Sequence, residues 1–150
     1  MDETIRQKIL SLLDEHRIMT IATLRQDGWP QATTVGYVNE GLTLYFLCGL
    51  DSQKAANLAR DDRVSLTIDH DTPQVMEIAG LSMAAHAQPV IDRAEAEKVL
   101  QMLPQKYPEQ VNLPGPMPST DEVRIFRVTP IVISVLDYTK GFGHTDLVAC

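Results

Sequence analysis

Arg17-Ile-Met-Thr-Ile-Ala-Thr-Leu-Arg25, the turn Gln26-Asp27-Gly28, Pro30-Gln-Ala-Thr-Thr-Val-Gly-Tyr-Val38, the turn Asn39-Glu40-Gly41 and Leu42-Thr-Leu-Tyr-Phe-Leu-Cys48 follow one another with only Trp29 between. Three runs rich in β-branched and aromatic residues, joined by Asp-Gly and Asn-x-Gly signals, predict an antiparallel meander. The last run stops at Gly49, and Asp51-Ser52-Gln53-Lys54 then opens a short helix reaching Arg60. Ser52, Gln53 and Lys54 fall in its first turn, where free N–H groups and the positive dipole end attract anions. A lysine there is misplaced unless something negative lies between it and those amides, and a phosphate group meets that need.

Working outward, Ile5, Ile9, Leu12 and Leu13 keep helical spacing behind Asp2, which predicts an amphipathic helix over residues 3–15. Val64, Leu66 and Ile68 alternate with Arg63, Ser65, Thr67 and Asp69, the pattern of a half-buried strand. Residues 74–89 read as a longer strand, in which Ala79-Gly80 marks either a bulge or the close approach of another backbone. Asp92-Arg-Ala-Glu95 predicts a capping box, followed by an apolar face of Ala96, Val99, Leu100 and Leu103 that ends at Pro104. Residues 107–119 carry Pro108, Pro114, Pro116 and Pro118, and read as an irregular loop. The run 123–137 is a long β-branched strand whose Pro130 belongs on an edge or at a bulge.

The expected fold is therefore mainly β with flanking helices: a six-stranded antiparallel Greek-key barrel with two longer helices and one short one. At 150 residues and 44% hydrophobic content the chain suits a single domain over residues 1–150. So small an open barrel leaves edges and apolar faces exposed, and a symmetric homodimer is the usual remedy. A net charge of −7 argues against a nucleic-acid binder. Two cysteines, Cys48 and Cys150, make no disulfide framework, and Cys48 reads as a small buried side chain without a redox role. With no signal pattern and no apolar run near the ~20 residues needed to span a bilayer, a soluble cytoplasmic protein is expected, with no membrane partner. His16, His70, His86 and His144 show no metal spacing, so no metal site is expected. No Gly-x-Ser-x-Gly, P-loop or Gly-x-Gly-x-x-Gly is present to suggest a hydrolase, an NTPase or a Rossmann domain.

The order of these motifs resembles the pyridoxamine 5'-phosphate oxidase-related family, the FMN-binding split barrels. Ile21-Ala-Thr-Leu with Asp27-Gly-Trp-Pro30, Leu44-Tyr-Phe-Leu with Ser52-Gln-Lys54, Ala56-Asn57-Leu58, Arg63-Val-Ser-Leu66 and Phe126-Arg-Val-Thr-Pro130 carry it over nearly the whole chain. The resemblance implies FMN as cofactor, its phosphate against Ser52, Gln53 and Lys54 and its ring along Thr33, Thr34, Val35, Leu47 and Cys48. It also implies Gln74 at the ring edge. The family builds two sites across a dimer interface, so Leu136, Asp137 and Tyr138 are candidates to complete the partner's site. The chain departs from the vitamin-converting oxidases where Gln53 replaces an arginine, where Thr33 and Val38 replace basic residues, and in ending Lys140-Gly-Phe-Gly-His144-Thr-Asp. Oxidation of pyridoxamine 5'-phosphate is accordingly not expected. The resemblance implies a flavin-dependent oxidoreductase acting on an unknown small substrate or electron donor. A non-catalytic FMN carrier or stress sensor is the alternative, as is a deazaflavin- or haem-binding relative on the same barrel. The glycine-flanked segment at Phe142 reads either as a cover for the flavin or as a frayed terminus.

Overall fold

The computed structural model describes residues 1–109 and 119–150. The described residues form three helices, α1 (Glu3–Glu15), α2 (Gln53–Arg60) and α3 (Arg93–Lys106). Eight strands accompany them: β1 (Ile18–Leu24), β2 (Pro30–Gly36), β3 (Val38–Glu40), β4 (Thr43–Gly49), β5 (Arg63–Asp69), β6 (Ala79–Pro89), β7 (Val123–Asp137) and β8 (Thr145–Ala149). One antiparallel sheet runs β2-β1-β5-β6-β7-β4-β3, with β8 beside the second half of β7. Because β3 follows β2 after a single residue, the two ends of this sheet belong to one bent stretch of chain, and the sheet curls into a split barrel. The corner is at Gly36-Tyr37. Tyr37 is fully buried there, and its hydroxyl donates to the carbonyls of Leu13 at 2.7 Å and His16 at 2.9 Å. Gly36 leaves room for Tyr107, whose hydroxyl a Cβ at that position would strike.

The two strands beyond the expected six have physical causes. The second predicted strand ends at this corner as β2, its last residue Val38 joins Asn39 and Glu40 of the predicted turn in β3, and the tail returns as β8 against Val132–Leu136 of β7. Gly141 at φ +141° and Gly143 at φ +73° form the connection, conformations that side-chain-bearing residues rarely adopt. The bulge lies between Ala84 and Ala85, where β7 passes Pro130 and skips Ile131. Gly80 marks the other predicted possibility, a backbone approach, since a Cβ on it would collide with the carbonyl of Ile68.

Alternation divides the barrel cleanly. Met19, Ile21, Leu44, Phe46, Leu66, Ile68, Leu81, Met83, Ile133 and Val135 point inward with α1 residues Ile9 and Leu13. A second apolar cluster, around Val38, Tyr45, Val99 and Ile125, seats α3 on the outer face of β3, β4 and β7. The predicted helix end at Pro104 is corrected to Lys106. The proline falls in the last turn, and the helix end is tied to α1 by Lys106 Nζ donating to Leu13 O at 2.6 Å. The capping box is half formed. Asp92 accepts from the Glu95 N–H, but the Glu95 carboxylate turns instead to Arg127, at 3.0 Å, and to the Tyr45 hydroxyl, at 2.8 Å, which hold it below the usual carboxylate range. The proline-rich loop expected over residues 107–119 lies mostly outside the described residues. No helix among the described residues is long and apolar enough to cross a membrane.

Candidate functional site

The residues expected to hold a phosphate lie at the N-terminal turn of α2. Ser52 is its N-cap, and its Oγ accepts from the Ala55 N–H at 3.1 Å, which leaves the Ser52 O–H free to donate outward. Gln53 donates through Nε2 to Asn57 Oδ1 at 2.9 Å. Asn57 is completely buried and in turn donates to Thr23 Oγ1 at 2.9 Å and Gln31 Oε1 at 3.3 Å. This amide network locks α2 against β1 and β2. Sequence reasoning noted Asn57 only within a family pattern, although an asparagine on the buried side of a helix beside Ala55 and Leu58 is itself a signal of a satisfied network.

Lys54 is half-buried and has no hydrogen bond or ion pair among the described residues. Most other cations are engaged: Lys8 with Asp137, Arg25 with Asp27, Arg63 with Asp61, Lys98 with Glu40 and Arg127 with Glu95. A cleft of about 560 Å³ opens beside the cradle, lined by Gln31, Gln53, Arg25, Gln26 and Asp27. Within it the Trp29 N–H and the Arg25 guanidinium hold the Asp27 carboxyl below its ordinary value.

The remaining predicted residues fall in three places. Pairing of Thr33 with Ile21 puts Thr33 and Val35 on the inner face, one step along from Gln31, while Thr34 faces outward beside Thr20. Thr33 Oγ1 is, among the described residues, the buried side-chain polar atom that lacks a hydrogen-bond partner. On β4, Cys48 packs on the barrel core and Leu47 lies in the outer cluster under α3. Gln74 is exposed and precedes a single 3-10 turn, Val75–Glu77, so the predicted strand 74–89 begins only at Ala79. Leu136 pairs with Gly80, and the Tyr138 N–H donates to Ile78 O at 2.9 Å. Asp137 is buried and accepts from Lys8 Nζ at 2.5 Å and from Thr139, which drives its pKa down to about 2.

These groups do not converge within one chain. The α2 cradle follows the end of β4 that pairs with Arg124 and Val123, whereas Leu136, Asp137 and Tyr138 stand at the far end of β7. The fifteen residues of β7, curled with the sheet and bulged at Pro130, lie between the two ends. The face between them is unusual. Thr34, Thr20, Thr67, Ser82 and Ser134 lie in one cross-strand row that continues to Leu147, and Ala32, Ala22, Ser65, Ala84, Val132 and Ala149 form the next. Both rows are small or apolar, uncharged, and point away from the barrel core.

Histidines are paired elsewhere. His16 Nδ1 lies 2.7 Å from Leu12 O and its Nε2 is 2.9 Å from His70 Nδ1, while His86 meets Asp62 at 2.7 Å and His144 meets Asp146 at 3.2 Å. Among the described residues no group of three or more His, Cys, Asp or Glu side chains is placed to hold a metal ion.

A curled antiparallel sheet flanked by three helices defines a split-barrel protein. The family model described as pyridoxamine 5'-phosphate oxidase matches residues 5–136, and the chain belongs to that family. Over 101 residues it is 25% identical to general stress protein 26 of Bacillus subtilis, spanning 65% of this chain and 71% of that one. A Clostridium acetobutylicum protein related to general stress protein 26 superposes with a TM-score of 0.71 at 15% identity, covering 99% of this chain and 96% of its own. The haem storage protein HutZ of Vibrio cholerae superposes with a TM-score of 0.67 at 18% identity, covering 95% and 92%.

Proposed function

We propose that the protein is a cytoplasmic, homodimeric FMN-binding oxidoreductase that does not oxidise pyridoxamine 5'-phosphate. The observation that carries this is Lys54, a half-buried cation without a partner among the described residues, in the first turn of α2. A phosphate placed against that turn receives the Lys54 ammonium, the Ser52 O–H and the Gln53 amide together. Thr33 Oγ1 fits the same assignment, because a buried hydroxyl without a partner costs about 1–3 kcal/mol and a polar cofactor edge would satisfy it. FMN, when bound, supplies the hydride or electron chemistry, and the chain's task is to hold it and exclude water. That division suits a site with no acid–base pair at its centre.

The dimer is supported by the division of site residues between the two ends of β7 and by the uncharged small-residue face between them. A second copy laid on that face in the opposite sense brings its Leu136 and Tyr138 end toward the first copy's α2. Gln53, where the vitamin-converting oxidases carry arginine, leaves the clamp thinner and argues against their substrate.

The test is an FMN titration followed by flavin fluorescence. Lys54→Ala lowers affinity at least about tenfold, the worth of one charge-assisted hydrogen bond; unchanged affinity removes the phosphate assignment. Light scattering on the same sample reports a dimer, and a monomer that binds FMN fully would defeat the shared site. Since a haem storage protein shares this fold, the absorbance spectrum of the purified protein also tests haem as the alternative. Repeated reduction by NAD(P)H and reoxidation separates an oxidoreductase from a passive carrier.

A further inference from the structure

We propose that a second cleft, on the other side of α2, is a binding site for a small carboxylic acid with an apolar body, held by Arg124. The cleft has a volume of about 410 Å³, within the range of small-molecule sites. Phe126 and Leu58, both buried, contribute its apolar surface. Three alanines of α2, Ala55, Ala56 and Ala59, line it as well, and their short side chains keep the space open.

One cation lines this apolar space. Arg124 donates through Nε to Leu50 O at 3.2 Å, which holds the guanidinium at the cleft. Its terminal N–H groups have no partner among the described residues. A planar guanidinium so anchored matches a carboxylate, and an apolar body behind that carboxylate fills the space over Phe126. Asp51 also lines the cleft. Between one guanidinium and this one carboxylate, a singly charged acid is the match. This reading shares one residue with the cofactor reading: of the residues assigned to FMN, Ser52 lines this cleft, whereas Gln53 faces the other.

Benzoate is the probe, followed by backbone amide chemical shifts of the full chain saturated with FMN, with benzamide and inorganic phosphate as comparisons. Benzoate shifts amides of α2 and the start of β7, and neither comparison molecule does. Arg124→Gln weakens benzoate at least about tenfold, in line with the loss of a hydrogen bond to a charged group. Ala56→Leu, which fills the cleft and keeps the guanidinium, also abolishes binding. Absence of shifts, equal affinity in Arg124→Gln, or an equal response to benzamide would overturn the proposal. Weaker benzoate binding by the FMN-saturated protein than by the FMN-free protein would overturn it too, by making the cleft part of the cofactor cradle. FMN affinity is read on the same samples, so a protein that takes benzoate but not FMN refutes the flavin assignment alone.

Discussion

Asn57→Ala removes the side chain that joins α2 to β1 and β2, and its cost can be worked from the structure. Three hydrogen bonds disappear: to Thr23 Oγ1 at 2.9 Å, to Gln31 Oε1 at 3.3 Å and from Gln53 Nε2 at 2.9 Å. At about 1 kcal/mol net for each short bond and about 0.5 for the long one, their loss costs about 2.5 kcal/mol. Thr23 is 1% exposed, so its hydroxyl keeps no water in compensation and adds about 1 kcal/mol. The gain in helix propensity, about 0.5 kcal/mol, offsets little of this. The expected destabilisation is about 3 kcal/mol, read as a lower urea midpoint at unchanged slope. For a chain of this size it corresponds to a Tm lower by about 6–12 °C. A double-mutant cycle with Thr23→Val isolates the Asn57–Thr23 bond and should give a coupling of about 1 kcal/mol. A loss below about 1 kcal/mol for Asn57→Ala would refute the view that this buried amide network fixes α2.

The Lys8–Asp137 pair makes stability depend on acid. The Asp137 carboxyl lies at about 2 when folded, against 3.8 for an unperturbed aspartate, so its contribution is fully present above about pH 4 and is lost as pH falls through 2. Lys8→Met raises that folded value, moves the midpoint of acid unfolding upward and costs about 1–2 kcal/mol near neutral pH, the lower figure reflecting the partial exposure of Lys8; an unmoved acid midpoint would show the pair to be energetically silent. Gly80→Ala forces a methyl against the Ile68 carbonyl and should destabilise by about 1–3 kcal/mol, detected by thermal melting, whereas Gly49→Ala, with open space at its Cβ position, should cost less.

Local chemistry in the chain predicted local structure well. Asp2, Ser52 and Asp92 cap the helices for which their side chains suit them, because an N-cap bond spans only two or three residues. The alternation of Val64, Leu66 and Ile68 became a strand with those residues buried, since a two-residue period leaves one face no choice. What escaped was decided at long range. Nothing near Tyr37 in sequence announces that its hydroxyl will cap the end of a helix more than twenty positions away, yet that contact fixes where one strand becomes two. Glu95 carries the local signature of a capping box, and Arg127, thirty-two residues on, draws its carboxylate elsewhere because a charge-assisted pair outweighs a neutral backbone bond.

The candidate site divides along the same line. Ser52, Gln53 and Lys54 sit together at the start of α2 as expected, because residues within a single turn are neighbours without help from the rest of the fold. Thr33, Thr34 and Val35 were named together although a strand cannot turn adjacent side chains to one face. The register instead puts Thr33 and Val35 toward the barrel core and Thr34 on the outer face, so the three do not share one surface. Leu136 and Tyr138 pose a different problem, since the length of β7 holds them away from α2. The proposed dimer would bring such ends together, and a sheet face bearing threonine, serine and alanine in place of charges suits that contact. In the proposed dimer, residues at both ends of this long strand would serve sites shared by two copies, an arrangement that the family resemblance implies and that no single turn of one chain displays.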